Sequence, residues 1–345
     1  MKFDPTKTKL TSECEVPGIL YAICSDPESG NCYAAGADRS VYCIDRNAEK
    51  PVAEKKWTHH ENYVSALVWN AGTIVSAGFD RRLIWTDVSS GKQLRAIEAH
   101  AGWVRDLVFL PDGKRLVSVG DDMLVRLWDS GDGKLLRSMT GHSPKTPEGF
   151  STAIYAVAVS PDGGTLASAD RIGDVCLWET DSGKLIRRIK APAFYTYDSV
   201  KRSRAIGGIR SVCFSPDGKQ LALSGIGAVT NVDGFVGPCR VEVWDWRSAE
   251  LIFTGQDKHK AVLNHIEFHP TQPWLIATGG GDGGGILAFW DQKQEEATHK
   301  TKLAGHGQRF TLFLESSRLV SVGSGGFQIW NLRASKKAES EKTPP

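Results

Sequence analysis

The chain has 345 residues, 41% of them hydrophobic and 24% charged, with a formal net charge of +2 at pH 7. A charge so near neutrality gives no global field for capturing nucleic acid or an anionic membrane surface. No apolar run approaches the roughly 18 residues of a membrane helix and the start shows no signal-peptide pattern, while seven cysteines without CxxC spacing form no disulfide framework or zinc motif.

In chain order, the first strand signal is the alternating "TKLTSECEV" at 8–16. Cys24, Cys32 and Cys43 then fall on successive short strands ending in "VYCID" (41–45). They read as buried free thiols rather than a disulfide or metal pair, which fits a reducing, cytoplasmic location. A phrase follows that returns along the chain: "RRLIWTDVSSGKQL" (81–94), "DDMLVRLWDSGDGKLL" (121–136) and "GDVCLWETDSGKLI" (173–186). Weaker copies end at "VEVWDW" (241–246), "LAFWDQ" (287–292) and "FQIWN" (327–331). The anchors Ile44, Thr86, Trp128, Trp178, Trp244, Trp290 and Trp330 are spaced by 42, 42, 50, 66, 46 and 40 residues. The short spacings give the unit and the long ones report insertions.

A second phrase precedes the anchor, as in "VFLPDGKRLVSVG" (108–120), "VAVSPDGGTLASA" (157–169) and "VCFSPDGKQLALS" (212–224). Each reads as two strands joined by a Pro-Asp-Gly turn, in which Pro presets φ and Gly supplies the positive φ. Gly-His or a relative separates units at Ala99-His100, Gly141-His142 and Gly305-His306, and His59-His60 stands in the same place. Each unit therefore holds four short, β-branched and aromatic strands, and no stretch shows helical periodicity.

These phrases resemble the WD-repeat (WD40) β-propeller family over roughly residues 8–332, and the Ser-Pro-Asp-Gly turns are similar to those of prokaryotic stand-alone WD-repeat proteins. The resemblance implies an all-β fold: a seven-bladed β-propeller of four-stranded antiparallel blades, one domain over 1–333. The seventh unit supplies three strands and then "RASKKAESEKTPP", whose charged residues 334–345 read as a disordered tail. The missing strand is expected from the N-terminus, closing the ring and covering a sheet edge.

The resemblance also implies a hydrogen-bonded tetrad of His, Ser or Thr, Asp and Trp in each blade. Mapped here, blade three is complete with His100, Ser118, Asp122 and Trp128. Blade two offers His60, Ser76 and Asp80 with Thr86 in place of Trp; blade six offers His259, Thr278, Asp282 and Trp290. Blade seven offers His306, Ser321 and Trp330, with Ser324 where Asp is expected, and blades four and five depart further. A His–Asp–Ser set also has the residue types of a catalytic triad. A catalytic set occurs once, whereas this one recurs with the repeat, so the structural reading is favoured and no catalytic residue is assigned. His59-His60-Glu61 fails as a metal cluster, because adjacent strand residues point to opposite faces.

Function is expected where the repeats are broken. Insertions occupy 143–153, 191–208 and 225–239, with a milder glycine-rich expansion at 279–285. By strand alternation all four lie on the face the family calls the top, on blades four to six. Their aromatic and basic residues, Phe150, Phe194, Tyr195, Tyr197, Lys201, Arg202, Arg204 and Phe235, are the types that dominate interfaces. Phe194 or Tyr195 at least is expected to pin its loop to the propeller. The inner strands add the channel-mouth positions Tyr21, Ser65, Arg105, Tyr155, Arg210, Asn264 and Phe310. The expectation is a monomeric, non-catalytic scaffold for a protein or peptide, without cofactor, metal or membrane attachment. The alternatives are single-stranded nucleic acid held by residues 194–204 and an enzyme acting at the central channel.

Overall fold

A computed structural model describes residues 3–198, 203–230, 236–314 and 317–332, arranged as seven four-stranded antiparallel sheets and one two-stranded hairpin. Blade three shows the unit: Val104–Phe109 lines the channel, followed outwards by Arg115–Gly120, Leu124–Asp129 and Leu135–Thr140. The other inner strands, in order, are Leu20–Ser25, Val64–Asn70, Ile154–Val159, Ile209–Phe214, Val262–Phe268 and Gly307–Phe313. No helix among the described residues is long and apolar enough to cross a membrane.

Alternation along each strand makes both faces of a blade apolar. Leu116 and Trp128 pack towards blade two with Val75, Ala77 and Trp85, whereas Val117, Val125 and Leu127 pack towards blade four with Leu166 and Trp178. Each such side chain removed from water contributes about 1.5–3 kcal/mol, so the core is a ring of interfaces between blades. All seven cysteines are free. Burial pushes the Cys32 and Cys176 thiols up to about 12, which leaves them unreactive.

The ring closes through the first strand. Lys9–Cys14 pairs antiparallel with Gly326–Asn331, from Lys9 opposite Asn331 to Cys14 opposite Phe327, as the fourth strand of blade seven. Upstream, Phe3 is buried between blades six and seven, its ring 4.6 Å from His269 and 6.0 Å from Phe289. The expected disordered tail lies outside the described residues.

Each inner strand carries a register shift near its start, one residue being left unpaired. Such bulges re-aim a side chain, and these turn Tyr21, Ser65, Arg105, Tyr155, Arg210, Asn264 and Gln308 towards one cavity at the top of the channel. Phe310 does not belong to this set. The shift in blade seven falls between Gly307 and Arg309, so Gln308 takes the mouth position, and Phe310 is buried opposite Ser321.

Deleting residues 1–14 bares the Gly326–Asn331 edge. The expected outcome is a lower melting temperature and concentration-dependent self-association in light scattering, because an unpaired edge templates other chains. A monomer that melts like the full chain contradicts closure by this strand.

Candidate functional site

In blade three Trp128 Nε1 donates to Ser118 Oγ at 2.8 Å, Ser118 bonds His100 Nε2 at 2.7 Å, and His100 Nδ1 bonds Asp122 at 2.8 Å. Blade two keeps His60 with Ser76 at 2.8 Å and with Asp80 at 2.9 Å, but Thr86 Oγ1 is buried without a hydrogen bond. Burial opposes ionisation of Asp80 and Asp122. Hydrogen bonds and charge from His60 and His100, with backbone N–H groups, outweigh it and hold both carboxyls below their ordinary value.

Blade four holds a complete set that the spacing did not reveal. Trp178 donates to Ser168 at 2.9 Å, and His142 bonds Ser168 and Asp170, each at 2.7 Å. Its carboxylate comes from a different backbone position. Asp170 ends the second strand opposite Ile154, where blade three has Gly120 opposite Val104. A Cβ at Gly120 would lie 3.3 Å from His100 Nδ1, which shows why an Asp at that position reaches the ring.

Blade six does not form the expected set. Trp290 pairs with Leu275, so the hydroxyl it needs belongs two residues on, where Ala277 stands. Thr278 is one residue later and therefore on the opposite face; it donates to the Ile286 carbonyl. Trp290 donates instead to the Glu295 carbonyl at 3.1 Å and His259 contacts the Gly284 carbonyl at 3.3 Å. Asp282 sits exposed at the tip of a hairpin that stays paired to Gly281 and Gly284. In blade seven Trp330 donates to Ser321 at 2.9 Å, but His306 is exposed, and its backbone N–H donates to Ser324 Oγ. In blade five Trp244 donates to the buried Glu242. His59 and His60 diverge, to the Gly91 carbonyl and to blade two's set.

The insertions on blades four and five are knitted together. Residues Tyr195–Asp198 and Arg204–Gly207 form a hairpin. Tyr195 donates to Glu148 at 2.6 Å, the Phe150 and Tyr197 rings lie 6.2 Å apart, and Val229 N–H donates to Thr196 at 3.1 Å. Phe194 is fully buried between blades four and five, so it anchors the hairpin and cannot touch a partner. Tyr195 and Tyr197 are half-buried, while Phe150 and Arg204 are exposed. Lys201, Arg202 and Phe235 lie outside the described residues.

The channel mouth reveals residues the repeat pattern did not single out. Tyr21, Tyr63 and Phe79 follow one another at ring distances of 6.0 and 5.7 Å, and Phe79 stacks on Trp103 at 4.3 Å and 4°. Tyr63 and Trp103 are 42% and 43% exposed, large values for aromatic side chains packed against one series of rings. Arg105 continues the series, 4.8 Å above Trp103 and 5.4 Å from Tyr155, and is held by Asp121 at 2.6 and 3.0 Å. The Arg210 guanidinium lies 4.4 Å from the centroid of the same Tyr155 ring. Aromatic and guanidinium groups thus form one arc from blade one to blade five. Asn264 donates to the Gly307 carbonyl at 3.0 Å.

Below the mouth an ion pair between Asp106 of blade three and Arg309 of blade seven spans the channel. It separates the mouth from a lower cavity of about 490 Å³ lined in part by His265 and Glu267. Burial raises Glu267 to about 7, against the Arg309 charge, and lowers His265.

Seven closed blades with recurring His–Ser–Trp–Asp sets define a WD-repeat β-propeller. The model described as WD domain, G-beta repeat matches residues 91–129 and 133–179, and together with the seven-bladed fold this supports a WD-repeat family. Among its relatives, Cell division cycle 20.1, cofactor of APC complex, of Arabidopsis thaliana is 25% identical over 236 residues, covering 66% of this chain and 45% of the relative. Pre-mRNA-processing factor 17 of Homo sapiens is 24% identical over 77% of this chain and 38% of its own length. Nuclear distribution protein PAC1 of Arthroderma otae is 46% identical over 123 residues, 32% of this chain and 24% of the relative. The chain thus spans less than half the length of these curated relatives.

Asp122→Ala and Asp170→Ala are each expected to lower unfolding free energy by about 1–3 kcal/mol in denaturant titration, since a buried His loses its partner. Asp282→Ala is expected to cost less than about 0.5 kcal/mol. Equal costs at all three sites contradict the assignment. The folded-state pKa of Asp122 is lowered, so its contribution is complete above the unfolded value of about 4 and is lost as pH falls through the folded one. The gap between wild type and Asp122→Ala therefore narrows below about pH 4.

Proposed function

We propose that this protein is a non-catalytic scaffold that holds a protein or peptide on its top face. The observation that carries the reading is the arc of Tyr21, Tyr63, Phe79, Trp103, Arg105, Tyr155 and Arg210 around the channel mouth. Aromatic and Arg side chains concentrate binding energy in a partly desolvated centre, and these are pre-positioned by packing on one another. The insertions on blades four and five carry the exposed Phe150 and Arg204. A relative described as a cofactor of the APC complex fits a role in assembly.

The rival readings have less support. Phe194 is buried, Tyr195 is tied to Glu148 and Tyr197 packs near Phe150, so these rings do not stand free to stack on bases. Against channel catalysis, the His–Asp–Ser sets are buried within the blades, and the Asp106–Arg309 pair crosses the channel below the mouth.

The test is affinity capture from the native lysate. Trp103→Ala and Tyr63→Ala are each expected to weaken the captured partner by about tenfold or more, with little change in melting temperature. Lys114→Ala and Lys134→Ala, on the turns of the opposite face, are expected to have no effect. Equal losses from both faces contradict the assignment.

A further inference from the structure

The cations in and around the channel mouth are unequally compensated. Arg105 is paired with Asp121, and Arg309 with Asp106. Arg171 donates to the carbonyls of Ala205 at 2.9 Å and Ser151 at 3.4 Å, which solvate its charge without cancelling it. Arg210 is half-buried, its Nε is buried without a hydrogen bond, and among the described residues no carboxylate pairs with it. Its guanidinium rests on the Tyr155 ring, itself shared with Arg105. Burial, together with the neighbouring Arg105 and Arg171 charges, pushes the Arg210 pKa down, against the opposing effect of Tyr155. A cation desolvated among like charges is unfavourable unless an anion joins it.

There is room for one. A cavity of about 480 Å³ opens beside Arg210, bordered by Asn264, Gln308 and the exposed His306, with Gly280 and Gly281 offering backbone and no side chain. That volume falls within the range of small-ligand sites and exceeds what a single oxyanion needs. Asp282 stands on its rim without an ion pair to Arg210.

We propose that Arg210, flanked by Asn264 and Gln308, is an anion-reading subsite that takes an acidic side chain, carboxylate or phosphorylated, of a peptide lying on the aromatic arc. The proposal rests on the top-face reading and adds the chemistry of the ligand. A planar guanidinium presented from a ring suits two-point recognition of carboxylate or phosphate. The neighbouring amides add neutral donors without charge. The peptide is favoured over a nucleic-acid strand because the mouth offers one uncompensated pocket rather than a basic track along which phosphates could follow one another.

The test uses the full-length protein at constant ionic strength, with fluorescein-labelled hexaglutamate, hexalysine, inorganic phosphate and a thymidine oligonucleotide as probes. Wild type is expected to bind hexaglutamate and not hexalysine, and to gain melting temperature from phosphate over chloride. Arg210→Met is expected to weaken hexaglutamate by about tenfold or more and to abolish the phosphate gain. Its own melting temperature stays the same or rises, since an uncompensated cation is removed. Arg210→Lys keeps part of the binding, and Asp282→Asn strengthens it by removing a like charge. Absence of hexaglutamate binding, or equal binding in Arg210→Met, overturns the subsite. Oligonucleotide binding that is tighter than hexaglutamate and grows with length overturns the peptide assignment. If Trp103→Ala abolishes protein capture while Arg210→Met changes neither capture nor hexaglutamate binding, the face stands and the subsite falls. If hexaglutamate depends on Arg210 and no protein is captured, the subsite stands and the scaffold reading falls.

Discussion

A propeller blade has two apolar faces and cannot bury both by itself. Most of this structure follows from that constraint. Val117 and Leu127 need blade four as Leu116 and Trp128 need blade two, so each blade is stable only between neighbours. The last blade meets the first, and its fourth strand is borrowed from Lys9–Cys14 across the whole length of the chain. With Phe3 wedged beside Phe289, the two ends of the repeat array are fastened at one seam. The loops carry little of this burden, which leaves the top face free to carry binding residues.

The polar sets obey the same two-residue alternation. A Trp, a Ser two positions past its cross-strand partner and a His entering from the loop meet on one face, as in blades three and four. Where the hydroxyl is displaced by one residue, as at Thr278, it crosses to the other face and the set dissolves. Blade six shows that the fold tolerates this, because Trp290 and His259 find carbonyl acceptors. The sets stabilise individual blades, and closure of the ring does not require all seven.

The period of the Trp anchors and the Pro-Asp-Gly turns made the blade architecture legible in the sequence, down to the closing strand. Side-chain placement was less so, for reasons of one or two residues. Asp170 sits two positions earlier in its blade than Asp122, yet its carboxylate reaches the same nitrogen. Counting along the repeat puts Phe310 at the mouth, while a bulge gives that place to Gln308. The aromatic arc was hidden differently. Tyr63, Phe79 and Trp103 come from three separate loops, and their stacking exists only after blades two and three pack. The signal available was positional: each lies between blades or between second and third strands, where the topology already assigns the top face. The insertions stand out in the sequence by length and aromatic content, and Phe194 anchors them between blades four and five.

The top face thus has two parts with different physics. Blades one to three offer a series of packed rings with Tyr63 and Trp103 exposed, while blades four and five offer a knitted lobe beside Arg210, which no described carboxylate pairs. A partner that spans both would gain apolar burial on one side and charge recognition on the other, which separates affinity from specificity. Hydrogen–deuterium exchange on the complex with the natively captured partner tests this most directly. The account predicts protection of the backbone around Tyr63, Phe79, Trp103–Arg105 and Arg210, with the turns at Pro111–Lys114 and Pro161–Gly164 unchanged. Protection confined to those turns, or to the outer strands, would contradict it.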